Sequence, residues 1–491
     1  MQTIYAGKLH TCQLWVGRSS RHRDARRRQA GRRDQLMASA TAAVEPAQTQ
    51  KQTQKQLSKA DLVAYIASGC KPREKWGIGT EHEKLGYQLS DHRRLTYEQI
   101  QQLLDALCKR HGWKPMMEQG LMIGAEWAGQ TVTLEPGGQF ELSGAPVSNL
   151  HLTSNEVNSH LFQVNSIAQE LGLAFLDVGF DPKWLYDDVP KMPKQRYRIM
   201  REYMPKRGKL GHDMMFRSCT IQVNLDYESE EDMVEKARIG LALQPVATAL
   251  FANSPFRDGK PSGFLSWRSN VWTDVDPDRT GILPFVFEEG FGFSRYVEYA
   301  LDVPVYFVYR EGNYLEATGG TFRDFLQGEL AIVPGEYPTM DDWVMHLTTI
   351  FPEIRLKKFI EMRGADGGPQ EMIVALSALW VGLLYDRKTQ AAAYDLIKDW
   401  TSADHEHLRA AVPRLALKAP FREGTVQDLA KKVLALSRQG LDARDLQEAK
   451  YLQPLEAIAE SGLTCADRLL QEYSSEWGEQ IDRVYSPEHT F

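Results

Sequence analysis

The 491-residue sequence lacks several features that would each indicate a particular class of protein. No segment approaches the roughly 18 uninterrupted apolar residues that a membrane-spanning helix needs, so we predict no membrane partner. The five cysteines show no CxxC spacing, which excludes a zinc ribbon and argues against a disulfide framework. GxxxxGK[ST] and GxGxxG are both missing, so the sequence predicts neither a P-loop nor a Rossmann dinucleotide site.

Charge is distributed unevenly along the chain. Residues 1–37 contain eight Arg and one Lys against Asp24 and Asp34, a local net charge of +7. The whole chain carries −7, so residues 38–491 carry −14. Because an acidic surface repels a phosphate backbone, we predict no nucleic-acid partner.

The N-terminal region differs from the rest in composition. Residues 1–36 are basic and have no secretory apolar stretch, which indicates an organelle transit peptide. The alternatives are a disordered basic tail, or untranslated sequence ahead of a start at Met37. Residues 37–57, rich in Ala, Gln and Thr, predict a disordered spacer. Residues 58–491 show no linker or repeat and predict a single catalytic domain, with Ser58 capping its first helix.

Hydrophobic periodicity predicts a mixture of helices and strands. Helical spacing occurs in the segments 58–69, 96–111, 153–171, 230–252, 370–385 and 426–438. Alternation typical of strands occurs in the segments 77–89, 131–142, 219–227, 264–275, 303–309 and 357–363. Strands of a parallel, doubly wound sheet are apolar on both faces, whereas several of these have a polar face, so we favour an α+β fold with a largely antiparallel sheet. Pro245 is expected to kink or divide its helix.

The polar faces of these strands contain many carboxylates. Glu81 and Glu83 lie two residues apart and therefore project to the same side of a strand. The same spacing recurs in Gln139 and Glu141, in Gln222, Asn224 and Asp226, and in Glu361 and Arg363. Like charges on adjacent strands destabilise a sheet unless a cation lies between them, and Mg²⁺ prefers oxygen ligands. The alternative is a solvated outer face, which is common in antiparallel sheets.

Other segments supply positive and amide groups. The segment SGFLSWRSNVWTDVDPDRTG brings Arg268 close to Trp272, and a guanidinium suits bidentate binding of a carboxylate or phosphate. The alternative is a structural arginine stacked on tryptophan. By itself, Asn253 is better explained as the cap of a turn. His82 and His160 fit an ordinary structural role as well as a functional one.

In these segments the chain resembles the plant-type glutamate–cysteine ligases, which belong to the carboxylate–amine ligases and catalyse the first step of glutathione synthesis. The resemblance runs from about residue 57 to the C-terminus. The blocks that carry it include KWGIGTEHEKLGY, LEPGGQFELSGAP, RYRIMREYMPK, IQVNLD, GLALQPVATALFANSPF, WTDVDPDRTG, LPFVFEEGFGF and HLTTIFPEIRLKKFIEMRGADGGP. It implies a curved, largely antiparallel sheet with outer helices, similar to glutamine synthetase and the guanidino kinases. It also implies that the basic arm is a chloroplast transit peptide and that the enzyme acts in the plastid stroma.

The resemblance implies roles for individual residues. The positions that match magnesium ligands are Glu81, Glu83, Glu141, Glu361 and, where some distant relatives have a histidine, Gln222. Arg268 matches a position that binds a substrate carboxylate, and Arg363 one that faces the transferring phosphate. The positions that match the substrate pocket are Met215, Thr220, Asn253 and Trp272.

The implied reaction joins the γ-carboxyl of L-glutamate to L-cysteine through γ-glutamyl phosphate, giving γ-glutamylcysteine, ADP and phosphate. The reaction requires ATP and Mg²⁺. Glutathione is an expected inhibitor, and the enzyme is expected to be a monomer or a homodimer. Other interpretations are a related ligase with a different amine acceptor, a guanidino kinase, and an inactive binding protein.

Land-plant members of the family form two regulatory disulfides that activate the enzyme as a dimer. At the matching positions this chain has Ser154 and Val374 for one bridge, and Ala317 and Ile332 for the other. We therefore expect that neither bridge forms and that activity does not require oxidation.

Overall fold

A nine-stranded sheet lies at the centre of the protein, in a computed structural model that describes residues 56–491. The predicted transit peptide, 1–36, and all but the end of the predicted spacer, 37–57, lie outside the described residues. The described residues belong to one compact unit. None of the helices in this part of the chain has both the length and the apolar character needed to cross a membrane.

The central sheet is antiparallel throughout. The strands of the described region, in chain order, are β1 (Ile78–Gln88), β2 (Lys114–Glu118), β3 (Leu121–Trp127), β4 (Gln130–Leu134), β5 (Phe140–Ser143), β6 (Leu173–Leu176), β7 (Thr220–Leu225), β8 (Phe256–Arg257), β9 (Lys260–Pro261), β10 (Thr280–Gly281), β11 (Phe307–Arg310), β12 (Asn313–Glu316), β13 (Phe351–Pro352), β14 (Ile354–Leu356), β15 (Ile360–Asp366), β16 (Pro420–Phe421) and β17 (Gly424–Thr425). The central order is β14-β15-β7-β1-β5-β4-β3-β2, with β6 also pairing with β1. The predicted combination of helices with a largely antiparallel sheet is confirmed. The curvature of the sheet and its likeness to glutamine synthetase stay predictions.

Helices cover the sheet and extend beyond it. They are α1 (Lys59–Ala67), α2 (Tyr97–His111), α3 (Leu150–Glu170), α4 (Gln195–Tyr203), α5 (Gly211–Arg217), α6 (Glu230–Leu250), α7 (Trp267–Val271), α8 (Phe293–Asp302), α9 (Phe322–Gln327), α10 (Met340–Leu347), α11 (Gln370–Leu384), α12 (Arg387–Ile397), α13 (Ser402–Leu415), α14 (Val426–Ala443), α15 (Gln453–Ser461) and α16 (Cys465–Ser475). Each predicted helical segment is a helix, and Ser58 caps α1 as expected, in a capping box with Asp61. Helix α6 continues through Pro245, so of the two expected effects division is wrong, while a kink stays a prediction. Burial of nearly the whole C-terminal half of α6 holds the helix together despite the missing hydrogen bond.

Alternation along β7 shows how the sequence gives the sheet two different faces. Ile221, Val223 and Leu225 are buried in the main hydrophobic core, while Gln222 and Asn224 project to the other side. Helix α11 packs against β7 and β1, and α6 packs against β15. Because the helices cover the apolar face, the polar face remains available to line a cavity.

Three predicted strands differ from the structure. The segment 264–275 is not a strand, because Ser266 accepts a hydrogen bond from the Ser269 amide and starts α7. The segment 131–142 is two strands, β4 and β5, joined by a turn in which Gly138 has a φ of 77°. The segment 303–309 contributes only β11, which pairs with β12 in a separate hairpin.

Candidate active site

Polar residues from five neighbouring strands form one continuous row on the open face of the sheet. Residues directly opposite each other are Arg355 and Glu361, Glu361 and Asn224, Glu81 and Gln222, and Glu83 and Glu141. Opposite residues project from the same face and lie within reach of each other. The row therefore joins β14, β15, β7, β1 and β5 into a single surface.

A cavity of about 310 Å³ lies over this surface. Its charged lining consists of Glu81, Glu83, Glu135, Glu141, Arg196, Arg268, Arg355, Lys357 and Arg363. A cavity of this size, with converging charged groups, is typical of a small-molecule site. The carboxylates come from β1, β5 and the turn before β5, whereas β14 and β15 supply Arg355 and Arg363, so the cavity has an acidic end and a cationic end.

The acidic end contains carboxyl groups with raised pKa values. Burial, followed by the charge of Glu361, raises the pKa of Glu81. Burial, followed by the charges of Glu135 and Glu141, raises the pKa of Glu83 well above its usual range. Burial, followed by the charges of Glu135 and Glu81, raises the pKa of Glu141 to about 8. In all three glutamates burial and the neighbouring carboxyl groups outweigh the groups that would lower the pKa.

Each of these three side chains accepts a hydrogen bond from a neutral donor. The donors are the Asn224 amide to Glu81 at 2.8 Å, the Thr220 backbone N–H to Glu83 at 3.1 Å, and the Thr133 hydroxyl to Glu141 at 2.8 Å. Neutral donors orient a carboxylate and leave its charge in place. A cation bound between them would neutralise that charge.

The chemistry of this donor set fits Mg²⁺ held together with phosphate. In residues 56–491 no three carboxylate, imidazole or thiolate groups form a ready-made metal cluster. Mg²⁺ does not require one, because it usually binds one or two carboxylates and completes its shell with water and phosphate oxygens. Glu81, Glu83 and Glu141 offer hard oxygen ligands of this kind on the cavity wall.

Glu361 lies in a different environment from the other three glutamates. It is fully buried and accepts two hydrogen bonds from Arg355, at 2.6 and 2.7 Å, and one from Arg363 at 2.7 Å. Burial would raise the pKa of Glu361, but Arg355, Lys357 and Arg363 outweigh it and hold the pKa well below its usual range. Glu361 projects from the same face of the sheet but does not line the cavity, and these cations already surround its carboxylate. Its role as a magnesium ligand stays a prediction.

Gln222 lies between the two ends and contacts Arg363 of the cationic end. Gln222 lines the cavity, but its side-chain oxygen accepts a hydrogen bond from Arg363 at 2.6 Å, which occupies the atom that a metal would need. The Arg363 guanidinium lies about 6.0 Å from the ring centre of Trp272 and 5.9 Å from that of Phe351. Arg268 donates to the Arg363 carbonyl at 3.1 Å, so the two predicted catalytic arginines are adjacent.

The four residues predicted for the substrate pocket separate into two groups. Met215, Thr220 and Trp272 line the cavity. The indole N–H of Trp272 is buried and has no acceptor in the described part of the chain, so it is free to donate to a ligand. Asn253 does not line the cavity, because its side chain donates to two backbone carbonyls, at 2.7 and 3.0 Å, and acts structurally.

His82 and His160 also lie away from the cavity. Both are buried and pack edge to face with ring centres 5.5 Å apart. His82 alternates with Glu81 and Glu83 along β1 and therefore projects to the opposite side of the sheet. Their placement agrees with the structural interpretation.

A family model described as Glutamate-cysteine ligase family 2 (GCS2) matches residues 77–487. The chain belongs to this family. It is 54% identical over 446 residues to the chloroplastic glutamate–cysteine ligase B of Oryza sativa subsp. japonica, covering 91% of this chain and 90% of the relative. It is 56% identical over 429 residues to the chloroplastic glutamate–cysteine ligase of Arabidopsis thaliana, covering 87% and 82%.

A solved structure of the Francisella tularensis glutamate–cysteine ligase in complex with AMP is also similar to the chain. The TM-score is 0.50, and the match covers 82% of this family member and 85% of the bacterial chain. Because the identity is only 11%, this likeness concerns the fold alone.

Several cavity residues of this glutamate–cysteine ligase family member were not predicted from the sequence. Glu135 stands in the same segment as Glu141, LEPGGQFEL, and its charge was the available signal. Arg355 and Lys357 precede Glu361 by six and four residues in RLKKFIEMR, so even spacing again gave a signal. Arg196 lies on helix α4, and nothing in its local sequence indicated that it faces a site.

Proposed function

We propose that this protein is a chloroplast glutamate–cysteine ligase, which uses ATP to join the γ-carboxyl of glutamate to the amine of cysteine. The observation that carries the proposal is the cavity with carboxylates at one end and arginines at the other. Such a site can hold both the cations and the anions of a phosphoryl-transfer reaction. The chloroplastic relatives, similar over most of their length, support the same reaction and location.

The cationic end is suited to activation of glutamate. A carboxylate does not react with an amine directly, so its oxygen must first become part of a better leaving group, here phosphate. Arg363 would stabilise charge on the transferring phosphoryl group, and Arg268 would hold a carboxylate of glutamate in place. The buried contacts of Arg363 with Glu361 and Gln222 fix the guanidinium before substrate binds.

The acidic end is suited to binding the Mg²⁺ that accompanies ATP. Glu81, Glu83 and Glu141 would hold Mg²⁺, which supplies neutralisation of charge at the ATP phosphates. Glu361 would act through Arg355 and Arg363 by holding both guanidinium groups at the cationic end. The neutral amine of cysteine would then attack γ-glutamyl phosphate and release phosphate.

We also propose that glutathione inhibits the enzyme. Glutathione contains the same γ-glutamyl group as the product, so it would compete for the contacts that hold the donor. The cavity is formed within one chain, so the proposed reaction is compatible with either a monomer or a homodimer.

A product assay tests the proposal. Purified protein is incubated with ATP, Mg²⁺, glutamate and cysteine, and γ-glutamylcysteine, ADP and phosphate are measured by mass spectrometry and phosphate release. We expect equal amounts of the three products and none of them when either amino acid is omitted. Phosphate release without dipeptide, or a product formed only with a different amine, would contradict the proposed activity.

A further inference from the structure

The residues that follow Trp272 line a second cavity, of about 430 Å³. Trp272 itself lines the active-site cavity described above, whereas Thr273 and Val275 line the second one. Helix α13 forms another wall of the second cavity with Ser402, His405, Glu406 and Arg409. The two cavities share no lining residue, so a ligand of the second cavity would not occupy the active site.

Two opposite charges on this face of α13 lack a good partner. The Glu406 side chain forms no hydrogen bond or ion pair with any described residue. The Nε of Arg409 is buried, and the carboxylate it faces, that of Glu353, lies 3.5 Å away, too far for a strong hydrogen bond. Arg207, the other cation of the wall, already pairs with two aspartates. Glu406 and Arg409 are therefore available to a ligand with one positive and one negative group.

The spacing of these two charges limits the chemistry of the ligand. Residues three apart on a helix have Cβ atoms about 5–6 Å apart. A ligand that meets both side chains at once must have its ammonium and its carboxylate close together, as an α-amino acid has on one carbon.

The remaining wall of the second cavity is largely apolar. Phe287 stacks on His405 with ring centres 4.1 Å apart, and Ile282 and Pro284 lie on the same wall. Burial lowers the pKa of His405, so the imidazole is uncharged at neutral pH. An apolar or aromatic side chain suits this surface better than a charged one does.

Strand β10 joins the second cavity to the active site. It contributes Gly281 to the second cavity and pairs with β13, whose Phe351 lines the active-site cavity. The Arg409 guanidinium lies against this strand, since a Cβ on Gly281 would come within 3.0 Å of its Nη2. Glu353 donates its backbone N–H to the Gly281 carbonyl at 3.0 Å and borders a small space of about 30 Å³ together with Arg268. Arg409 and Arg268 therefore lie on two sides of one carboxylate.

We propose that the second cavity binds an α-amino acid with an apolar or aromatic side chain, and that this ligand weakens the binding of glutamate in the active site. Its carboxylate would meet Arg409 and its ammonium Glu406. Arg409 would then share less of its charge with Glu353, whose carboxylate would compete with glutamate for Arg268. The effect on glutamate rests on the proposed function, whereas the binding of the ligand does not.

Isothermal titration calorimetry of the full chain with L-phenylalanine and L-leucine tests the site directly. Two further ligands separate the charges, because 3-phenylpropionate is phenylalanine without its ammonium and phenethylamine is phenylalanine without its carboxylate. Glu406→Gln removes the charge that would hold the ammonium, and Arg409→Met removes the one that would hold the carboxylate. The matched control is Glu423→Gln, which changes an exposed glutamate that lines neither cavity. Thermal melting checks the folding of each variant.

We expect Glu406→Gln to weaken the binding of L-phenylalanine about ten- to 100-fold, as for loss of a hydrogen bond to a charged group. The same change should not weaken the binding of 3-phenylpropionate, which has no ammonium. Arg409→Met should weaken both of these ligands and leave phenethylamine unaffected, and Glu423→Gln should behave as the unchanged protein. Absence of binding by L-phenylalanine and L-leucine, or equal losses for every ligand, would overturn the site.

The effect on the reaction is measured as KM for glutamate at increasing concentrations of L-phenylalanine. A ligand in a separate cavity raises KM to a plateau, whereas a competitor in the active site raises it without limit. We expect a plateau in the unchanged enzyme and a much smaller rise, at the same concentrations, in Glu406→Gln, whose kinetics without phenylalanine should be unaltered. A rise without limit, or binding that leaves KM unchanged, would overturn the coupling. Failure of the proposed function is recognised separately, because the unchanged enzyme would then form no γ-glutamylcysteine.

Discussion

Glu83 and Glu361 are the same residue type on the same face of one sheet, yet their neighbours give them opposite properties. Carboxyl groups surround Glu83 and raise its pKa, while three cations surround Glu361 and lower its pKa. A cation introduced into the cavity would therefore be attracted to Glu83, and Glu361 already has its cations. The two residues should differ in what their loss does to the enzyme.

Glu83→Gln is expected to lower kcat/KM by about 1,000-fold or more, because it removes a charge that would act on a developing phosphoryl transition state. Burial of an uncompensated carboxylate disfavours folding, so the same change should not lower the melting temperature. Steady-state kinetics at several Mg²⁺ concentrations and a thermal melt are the measurements. The matched control is Glu126→Gln, which changes an exposed glutamate of the same sheet. Activity of Glu83→Gln with an unaltered Mg²⁺ dependence would argue against the ligand role.

Glu141 gives a pH-dependent prediction for the metal-free protein. Its pKa is about 8 in the folded protein against an ordinary value of 4.5. Because the folded value is raised, the ionised group opposes folding: the cost is absent below about pH 4.5, grows by up to about 1.4 kcal/mol per pH unit, and levels off above about pH 8. Glu141→Gln should therefore raise the melting temperature in EDTA more at pH 8 than at pH 5. An equal change at both pH values would show that Glu141 does not titrate in this range.

At the scale of single elements, the turn between β4 and β5 brings Glu135 and Gln139 to the cavity. Gly138 adopts the left-handed conformation and donates its N–H to the Glu135 carbonyl at 2.8 Å. A Cβ there would also lie 3.0 Å from Ile100 and 3.2 Å from Met192. The turn thus requires glycine for both its backbone conformation and its packing.

Gly138→Ala is expected to destabilise the protein by about 1 kcal/mol or more from backbone strain, and to lower kcat/KM by about tenfold or more because Glu135 moves. Gly120→Ala is the control, since Gly120 has a φ of 80° and open space where its Cβ would lie. It should lose similar stability and no activity. Chemical denaturation and kinetics below both melting temperatures give the two quantities. Full activity in Gly138→Ala would mean that this turn does not position the site.

Helices and the central strands could be predicted because each has a local signal. Ser58 begins α1, and alternation in β7 separates Ile221 and Val223 from Gln222. The segment 264–275 was wrongly predicted as a strand because its residues alternate like those of a strand. The hydrogen bond that starts α7 depends on a single serine, which is a weaker signal. The position of Arg196 on the cavity wall could not be predicted, because it depends on which element packs opposite the sheet.

Prediction of the site from the sequence was limited in the same way. Even spacing identified Glu81, Glu83 and Glu141 as sharing one face, and the cavity does contain them. Spacing could not show that Arg355 saturates Glu361 or that Asn253 turns to backbone carbonyls, because those contacts join distant segments. The pattern of charges along the sequence predicts which side chains share one face of the sheet. Only the packing of distant segments decides which of those side chains lack a partner within the protein and remain available to a ligand.

At the scale of the whole molecule, one sheet separates two kinds of environment. The apolar face packs against α6 and α11 in the largest core, and the polar face lines the cavity. Since β1, β7 and β15 contribute to both, changes in the core can move the site. Val374 stands where the resemblance implies a regulatory cysteine, and it is buried on α11, in this core.

The replacement of those cysteines predicts an enzyme that is insensitive to reduction. Cys70, Cys108, Cys219 and Cys465 are all free in the described part of the chain. With Ser154 and Val374 at one bridge position, and Ala317 and Ile332 at the other, dithiothreitol has no matching disulfide to break. We expect kcat/KM and the molecular mass from light scattering to be the same with and without dithiothreitol. The variant with Ser154→Cys and Val374→Cys together should gain sensitivity, because α3 and α11 pack against each other. Strong inactivation of the unchanged enzyme by dithiothreitol, together with a change in mass, would show that a different thiol switch operates.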